Sequence, residues 1–226
     1  MTYPNIKRGI FRSRPNRFIA YVEIDGRTET CHVKNTGRCR ELLIEGVSVI
    51  VTRSENPARK TAYDLIAVYK GEKLINIDSQ APNQVMGEWL RDGGLGTELI
   101  CIKPEYTFGS SRFDFYLETP TRRILAEVKG VTLEQDGVVL FPDAPTERGV
   151  KHLRELMEAK RRGYGACIFF VIQMEDCRSF TPNRETHPAF ADALAEAAAC
   201  GVEIRALNCR VSESSLTVDR EIPVHL

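Results

Sequence analysis

The sequence predicts an α+β protein with two domains, a small all-β domain followed by an α/β domain. Its 226 residues are 42% hydrophobic and 27% charged, which is typical of a folded chain with one or two cores. The first part alternates apolar and polar residues over short runs bounded by turn residues, as β-strands do. The second part mixes apolar residues at helical spacing with continuous apolar runs. We therefore expect the domains to comprise residues 1–80 and 81–226.

Five short strands are expected in the first domain. Alternation over residues 17–24 leads to the dipeptide Asp25-Gly26 and a return strand over residues 30–33, and Asp-Gly between alternating runs is a strong hairpin signal. Five short strands suit an OB-fold-like β-barrel, whose usual ligands are oligonucleotides and oligosaccharides. We expect Phe18 to lie in the barrel interior; outside it, Phe18 would join Tyr21 and His32 as a surface on which bases stack. The other three strands are expected over residues 47–52, 63–70 and 73–77.

Charge is distributed unevenly between the two parts. The first 80 residues contain 14 Lys and Arg against 9 Asp and Glu, and the remainder contains 17 against 22, so the parts carry +5 and −5. A cationic segment can bind a phosphate backbone, but it can also serve only solubility. The turn around Gly37 also exposes backbone amides to which a phosphate can dock. The nucleic-acid contacts predicted in this domain are Arg12, Arg17, His32, Asn35 and Arg38.

The second domain is predicted to follow the order α-β-β-β-α-β-α-β. The run at residues 166–172 is apolar without alternation, which favours a strand buried on both faces, as in a parallel crossover unit. This order is typical of the sandwich in which restriction-type nucleases carry a hairpin site. The predicted elements are a helix from Asn83 to Gly93, strands over residues 99–102 and 105–108, a hairpin around residues 119–122, a helix from Thr146 to Arg162, the strand at 166–172, a helix over residues 188–200 and a strand over residues 202–207.

The hairpin is expected to bring two carboxylates together. With Glu118 opposite Arg123, Asp114 lies opposite Glu127, and Lys129 lies on the same face because side chains alternate along a strand. Two opposed carboxylates repel unless a proton or a divalent cation lies between them. Hard cations such as Mg²⁺ or Mn²⁺ bind such oxygen ligands. The alternative is a solvated polar face, since an Asp, a Glu and a Lys meet by chance in many hairpins.

Further residues complete a phosphodiesterase hypothesis. Lys129 can orient a water nucleophile or stabilise the charge that builds on the phosphorus centre, and Arg148, in the first turn of the predicted helix, can grip the scissile phosphate. Arg112, Lys151 and His152 are candidate nucleic-acid contacts, although a helix rich in Lys, Arg and Glu is more commonly a solvated face. The predicted catalytic residues are Asp114, Glu127, Lys129 and Arg148, with Asp114 and Glu127 as the ligands of Mg²⁺ or Mn²⁺.

Four strings of residues resemble the sugar fermentation stimulation protein A (SfsA) family. The resemblance covers nearly the whole chain, and it implies an N-terminal OB-fold-like domain and a C-terminal PD-(D/E)xK nuclease-like domain. It also implies a DNA-binding protein linked to sugar-utilisation genes. The chain departs from the family pattern at Val33-Lys34 and Cys39, where we expect a proline and a methionine. The four strings are Asn35-Thr36-Gly37-Arg38, Ser110-Ser111-Arg112-Phe113-Asp114-Phe115, Glu127-Val128-Lys129-Gly130-Val131-Thr132-Leu133, and the run from Leu140 to Leu153.

Two functions of different class follow from these observations. The first is a Mg²⁺- or Mn²⁺-dependent DNA nuclease, and the second is a non-catalytic DNA-binding regulator with a vestigial nuclease-like pocket. An RNA or small nucleotide substrate is a third, weaker alternative. The DNA can be single- or double-stranded on these observations, and the sequence is compatible with a homodimer.

Composition excludes several other classes. No apolar stretch reaches the eighteen or so residues that a membrane-spanning helix needs. The seven cysteines are odd in number and scattered, which argues against a disulfide framework and against a zinc site. We expect a cytoplasmic protein without a membrane partner, whose cysteines are mostly buried thiols.

Overall fold

The computed structural model describes residues 1–35, 37 and 39–226. The described residues form two compact units, each built from discontinuous segments. None of the described helices has the length and apolar character that a membrane crossing requires. The first unit comprises Met1–Ala81, Gln173–Glu175 and Cys209–Thr217, and the second comprises Pro82–Ile172, Asp176–Asn208 and Val218–Leu226.

A six-stranded sheet forms the first unit, and five of its strands close into a barrel. The strands are β1 (Ile6–Asn16), β2 (Ile19–Ile24), β3 (Arg27–Val33), β4 (Ser48–Arg53), β5 (Tyr63–Lys70) and β6 (Lys73–Asn76). They follow the order β3-β2-β1-β4-β5-β6, and a parallel pairing of β3 with β5 closes the barrel. Fully buried aliphatic side chains such as Ala20, Val22 and Leu65 form its core. The OB-fold prediction is confirmed.

Strand β1 is the main difference from the predicted barrel. The sequence predicts a strand from residue 17, but β1 ends at Asn16, whose side chain accepts hydrogen bonds from the amides of Phe18 (2.9 Å) and Ile19 (3.1 Å). The prediction for Phe18 is wrong, because this turn leaves its side chain 51% exposed. Alternation misses β1 because only Gly9 and Phe11 of the strand are buried, among basic residues.

The second unit is built around another six-stranded sheet. Its elements are α1 (Ala81–Arg91), β7 (Cys101–Phe108), β8 (Ser111–Glu118), β9 (Arg123–Val131), β10 (Leu133–Gln135), β11 (Val138–Phe141), α2 (Glu147–Arg161), β12 (Gly165–Ile172), β13 (Ser179–Pro182), α3 (Pro188–Ala199), β14 (Glu203–Ser212) and β15 (Ser215–Ile222). The sheet order is β15-β14-β12-β9-β8-β7, and β10, β11 and β13 form a smaller sheet. Strand β12 pairs in parallel with both β9 and β14 and is buried from Ala166 onward, which confirms the predicted crossover strand.

The hairpin of β8 and β9 has the predicted register where the two strands pair. Glu118 pairs with Arg123, and regular pairing continues to Phe115 opposite Ala126. The loop is closed by the hydroxyl of Thr119, which accepts a hydrogen bond from the Arg122 amide at 2.9 Å.

Strand β7 lies at the edge of this sheet, beyond β8. It contains Pro104, which pairs with Phe115, and Glu105, whose φ of 55° interrupts the regular pairing with β8. Proline is found in sheets mainly on edge strands, so the irregularity fits its position.

Helix α2 has the bounds that its capping residues predict. Thr146 is the N-cap, and its hydroxyl accepts a hydrogen bond from the Gly149 amide at 3.1 Å. The helix ends before Gly163, which has a φ of 83° and so takes the left-handed conformation common after a helix. These ends place His152 in the middle of the helix and Arg148 in its first turn.

Four strands of the second unit are not predicted from the sequence. Strands β10, β11 and β13 have three or four residues each, too few for alternation to be visible. The turn between β10 and β11 carries the same Asp-Gly signal as the first hairpin, and Asp136 and Gly137 have φ values of 49° and 80°. Most of β15 is exposed, so it lacks an apolar face.

Candidate metal centre

Asp114 and Glu127 lie where the regular pairing of β8 and β9 ends. One carboxylate oxygen of Asp114, Oδ2, accepts a hydrogen bond from the backbone amide of Val128 at 2.7 Å. The other oxygen accepts from the side-chain amide of Asn83, on α1, at 2.7 Å. The Asp114 side chain therefore replaces the backbone carbonyl that would continue the ladder, and both of its oxygens are fixed.

Glu127 is buried, with 2% of the residue exposed. Its Oε1 contacts the ammonium of Lys129 and the Nδ1 of His152. Its Oε2 is buried and has no hydrogen-bond partner among the residues that the structure describes. A buried carboxylate oxygen without a partner is costly, so this atom has the character of a ligand atom.

The pKa values of the two carboxyls shift in opposite directions. Burial, and after it the charge of Glu127, raise the pKa of Asp114. Burial also acts to raise the pKa of Glu127, but the hydrogen bond from His152 and the charge of Lys129 outweigh it, and the net shift is downward. Glu127 is therefore the firmly ionised member of the pair, and Asp114 is the member whose ionisation is disfavoured.

These residues fit a hard divalent cation that takes part of its coordination shell from water or substrate. Mg²⁺ in particular is usually held by one or two carboxylates together with phosphate oxygens and water. Among the described residues no group of three or more His, Cys, Asp and Glu is arranged to hold a metal ion. Two carboxylates with one unpartnered buried oxygen suit a cation bound jointly with a phosphate, and they do not suit an all-protein cage.

The structure brings Lys129, His152 and Arg148 to the same site. Lys129 is largely buried and contacts Glu127, as its place on the hairpin face predicts. The sequence predicts a nucleic-acid contact for His152, but this residue is 4% exposed and its ring contacts Glu127, so that prediction is corrected. Arg148 is exposed, and its Nε lies 3.3 Å from Nε2 of His152.

Arg112 and Lys151 lie at the surface of the same unit. Arg112 forms an ion pair with Glu105 at 3.6 Å, in which both side chains are more than half exposed. The ammonium of Lys151 lies 3.4 Å from the carbonyl oxygen of Ser110 and 3.9 Å from the carboxylate of Glu155. Both cations remain accessible to a ligand, but neither contacts Asp114 or Glu127.

Asn83 is the residue of this site that the sequence does not reveal. The sequence predicts that the first helix begins at Asn83, but α1 begins at Ala81, and the Asn83 side chain binds Asp114. Nothing in the local sequence indicates this contact, because it depends on how α1 lies against β8.

In the first unit, the predicted nucleic-acid contacts lie in different environments. Arg12 forms an ion pair with Glu23 at 2.6 Å, and Arg17 is exposed. His32 lies 3.2 Å from the buried carboxylate of Asp64. These contacts hold the side chains of Arg12 and His32 in place, whereas the Arg17 side chain is exposed to solvent.

The turn at residue 35 is held from two sides. The side-chain amide of Asn35 donates to the carbonyl of Ile77 at 3.0 Å, and its oxygen accepts from the Gly37 amide at 2.7 Å. Arg14, one of the basic residues at the start of the sequence, donates to the carbonyls of Asn35 (2.7 Å) and Gly37 (2.9 Å). Asn35 therefore has a structural role here. The predicted contact Arg38 lies outside the described residues.

Comparison with known proteins gives matches over the whole chain. A family model described as the SfsA N-terminal OB domain matches residues 13–77, and one described as the sugar fermentation stimulation protein RE domain matches residues 80–215. Sugar fermentation stimulation protein homologues of Desulfitobacterium hafniense strain Y51 and Ruminiclostridium cellulolyticum are 60% and 54% identical over 226 residues, which is 100% of this chain and 99% and 100% of theirs. The solved structure of Pyrococcus furiosus SfsA in complex with Ca²⁺ is 30% identical, has a TM-score of 0.91, and the match covers 100% of this chain and 98% of that one.

Proposed function

The chain belongs to the SfsA family of sugar fermentation stimulation proteins, and from this premise we propose that it is a DNA-binding protein with a divalent-metal-dependent phosphodiesterase site. Asp114 and Glu127 are the proposed metal ligands. Lys129 and Arg148 are the proposed groups that act on the substrate phosphate. The site prefers Mg²⁺ or Mn²⁺ in this proposal, because both favour carboxylate, phosphate and water oxygens.

The observation that carries the proposal is the unpartnered Oε2 of Glu127. A protein without a ligand at this position gains nothing from burying a free carboxylate oxygen beside a second carboxylate. The Pyrococcus furiosus relative was solved in complex with Ca²⁺, which supports divalent-cation binding in the family. A bound cation would supply Lewis-acid polarisation of a phosphate oxygen and a more acidic water.

The residues of the chain have distinct tasks in this proposal. Asn83 and the Val128 amide hold Asp114 in place, as described above. Lys129 neutralises Glu127 until substrate binds, and its ammonium then stabilises negative charge at the reacting phosphate. Arg148, which is exposed at the first turn of α2, binds a neighbouring phosphate oxygen. Because fixed hydrogen bonds already hold the groups of this site in place, they need to reorganise little during the reaction.

A cleavage assay tests this function. Purified protein is incubated with single-stranded, duplex and flapped DNA in the presence of Mg²⁺, Mn²⁺ or EDTA. We expect metal-dependent cleavage that is lost in Lys129→Ala and in Asp114→Asn. Lys160→Ala, at the other end of α2, serves as the matched control and should cleave like the wild type. Cleavage that persists in Lys129→Ala would show that the reaction does not occur at this site.

A non-catalytic regulator is the second candidate, and one observation favours it. Lys129 and His152 both contact the same oxygen of Glu127, so this carboxylate is partly neutralised without a metal. In this alternative the pocket is vestigial and the protein only binds DNA. Binding without cleavage for every metal and substrate in the assay above would select it.

The first unit is the proposed DNA-binding domain. Phe18 and Tyr21 are 51% and 39% exposed, although aromatic residues of this size are usually buried. Tyr21 pairs with Thr30, and two positions along the same ladder Ile19 pairs with His32. Because side chains alternate along a strand, Tyr21 and His32 lie on one face of β2 and β3. Exposed aromatic rings beside cations are typical of surfaces on which the bases of a single strand stack.

Salt dependence tests the electrostatic part of DNA binding. Arg8, Arg12 and Arg17 are all exposed, and Arg8 and Arg12 each form an ion pair at 2.6 Å, with Glu213 and Glu23. If these cations bind phosphates, the triple variant Arg8→Ala, Arg12→Ala, Arg17→Ala lowers the slope of log K against log salt by roughly 0.7–0.9 for each phosphate that is no longer neutralised. An unchanged slope would show that phosphates bind to another part of the molecule.

A further inference from the structure

Arg148, His152 and Glu127 form a chain of hydrogen bonds from the surface to the candidate metal centre. The guanidinium Nε of Arg148 lies 3.3 Å from Nε2 of His152, and Nδ1 of His152 contacts Oε1 of Glu127. The side chain of His152 is 5% exposed, while Arg148 is exposed. The imidazole is thus the buried middle link between an exposed cation and a buried carboxylate.

Arg148 determines which nitrogen of His152 carries the proton. A guanidinium group donates hydrogen bonds and cannot accept them, so Nε2 of His152 must be the acceptor. With Nε2 as the acceptor, a ring proton lies on Nδ1, and this N–H donates a hydrogen bond to Oε1 of Glu127. Phe113 packs beside the ring, with the two ring centroids 6.1 Å apart, and this limits rotation of the imidazole.

This chain of hydrogen bonds reaches only one of the two carboxylate oxygens of Glu127. His152 and Lys129 both contact Oε1, and no described residue is hydrogen-bonded to Oε2. A side-chain carboxylate held by one oxygen has the other directed to a fixed place. Hydrogen-bonding partners that orient metal ligands in this way typically change metal affinity by roughly 10- to 100-fold when they are removed.

We propose that His152 is a positioning residue for a divalent cation, because its Nδ1 holds Glu127 with Oε2 free to bind the metal, and that Arg148 sets this arrangement by fixing the tautomer of His152. The inference rests on the metal site proposed above. It assigns Arg148 a role in the metal-free protein, in addition to its contact with phosphate. The exposed guanidinium and the buried carboxylate are then coupled through one imidazole.

Two amide substitutions separate the two hydrogen bonds of His152. In His152→Asn the side-chain NH₂ can occupy the position of Nδ1, so the donor to Glu127 is kept and the acceptor for Arg148 is lost. In His152→Gln the terminal oxygen can occupy the position of Nε2, so the acceptor is kept and the donor is lost. Both variants remove the ring from its contact with Phe113, so a purely structural effect should be similar in the two.

Calorimetric titration with Mn²⁺ is the first measurement. We expect His152→Gln to bind Mn²⁺ roughly tenfold or more weakly than the wild type, while His152→Asn retains most of the affinity. Thermal unfolding is recorded in parallel and should fall by similar amounts in both variants. Equal Mn²⁺ affinity in His152→Gln and the wild type would overturn the positioning role, as would equal losses in the two variants.

Nitrogen-15 NMR of the histidine ring is the second measurement, and it needs no metal. We expect His152 in the wild type to be the Nδ1–H tautomer, and Arg148→Met to shift it toward a mixture with the Nε2–H tautomer. A wild-type ring protonated on Nε2 would overturn the hydrogen-bond chain directly.

The two measurements separate failure of the inference from failure of the proposed function. If wild type and Asp114→Asn both fail to bind Mn²⁺, the proposal of a metal site is refuted, and so is the positioning role of His152. The NMR measurement still decides whether Arg148 sets the tautomer of His152. If wild type binds Mn²⁺ and Asp114→Asn does not, the metal site stands. The His152 variants then decide the positioning role alone.

Discussion

Replacing Asp114 by Asn should stabilise the metal-free protein and remove its response to metal. The substitution removes one of two carboxylates that face each other without a cation. At roughly 5 Å, the usual separation of side chains opposed across two strands, two charges repel by about 3 kcal/mol at an effective dielectric constant of 20. Lys129 offsets part of this repulsion, so we expect a gain of about 1–2 kcal/mol in the free energy of unfolding, as in other stabilising changes at functional sites.

The hydrogen bonds of Asp114 can survive the change. An Asn at position 114 can still accept from the Val128 amide, and its NH₂ can donate to Asn83 once the amide of Asn83 turns over. The substitution therefore changes charge with little change in packing, which makes it a cleaner probe than Asp114→Ala.

Thermal unfolding with and without Mn²⁺ measures both effects. In a protein of this length 1 kcal/mol shifts Tm by roughly 2–4 °C, so Asp114→Asn without metal should melt roughly 2–8 °C above the wild type. Mn²⁺ at 100 times its Kd stabilises the wild type by about 2.7 kcal/mol, a rise in Tm of roughly 5–11 °C, and the variant should show no rise. Asp92→Asn, an exposed carboxylate of the same unit, should behave like the wild type. A variant that melts below the wild type without metal and still gains Tm with Mn²⁺ would refute the reasoning.

Three further predictions concern other parts of the molecule. Asp64→Asn should be less stable than the wild type at neutral pH. Burial acts to raise the pKa of Asp64, but the hydrogen bond and charge of Arg59 outweigh it and lower the pKa below its ordinary value of 3.8. The stabilities of wild type and variant should therefore converge as pH falls below about 4, toward the lowered folded-state pKa. Thr146→Ala should cost about 1 kcal/mol of stability through loss of the α2 N-cap, measured by urea unfolding. Phe18→Ala and Tyr21→Ala should each weaken binding of single-stranded oligonucleotides by about 1–3 kcal/mol, measured by fluorescence anisotropy.

Each of these predictions has a matched control variant or an outcome that would contradict it. For Asp64, the sign follows from a folded-state pKa below the unfolded one, so the stabilisation must be complete at higher pH; a difference that grows on acidification would contradict it. Thr146→Ser keeps the hydroxyl and should retain the cap. Ile44→Ala removes an exposed apolar side chain of the first unit (56% exposed) and should leave oligonucleotide binding unchanged.

The hairpin could be predicted because its information is local. Alternation of side chains and a short loop with Thr119 at its start are enough to pair Glu118 with Arg123, and the pairing then brings Asp114 near Glu127. The ends of α2 are equally local, since Thr146 and Gly163 mark them directly. Short-range turn and capping chemistry is therefore enough to predict the register of this hairpin and the bounds of α2.

The remaining parts depend on contacts distant in the sequence. The spacing of Arg148 and His152 places them on one face of a helix, but only packing of α2 against the sheet decides that His152 is buried and contacts Glu127. Asn83 reaches Asp114 for the same kind of reason. The prediction for Phe18 is wrong for a different reason, because alternation alone does not distinguish the inside of a barrel from its outside.

The irregular edge of the second sheet affects how copies of this protein meet. A regular edge strand offers a row of free N–H and C=O groups on which a strand of another chain can align. In β7, Pro104 has no N–H to offer and Glu105 turns the backbone out of the extended conformation, with a φ of 55°. A second chain could align only a few residues with this edge before its ladder was interrupted. The candidate metal centre lies one strand inward, on β8 and β9, and the edge beside it is thus protected against pairing with the edge of another sheet.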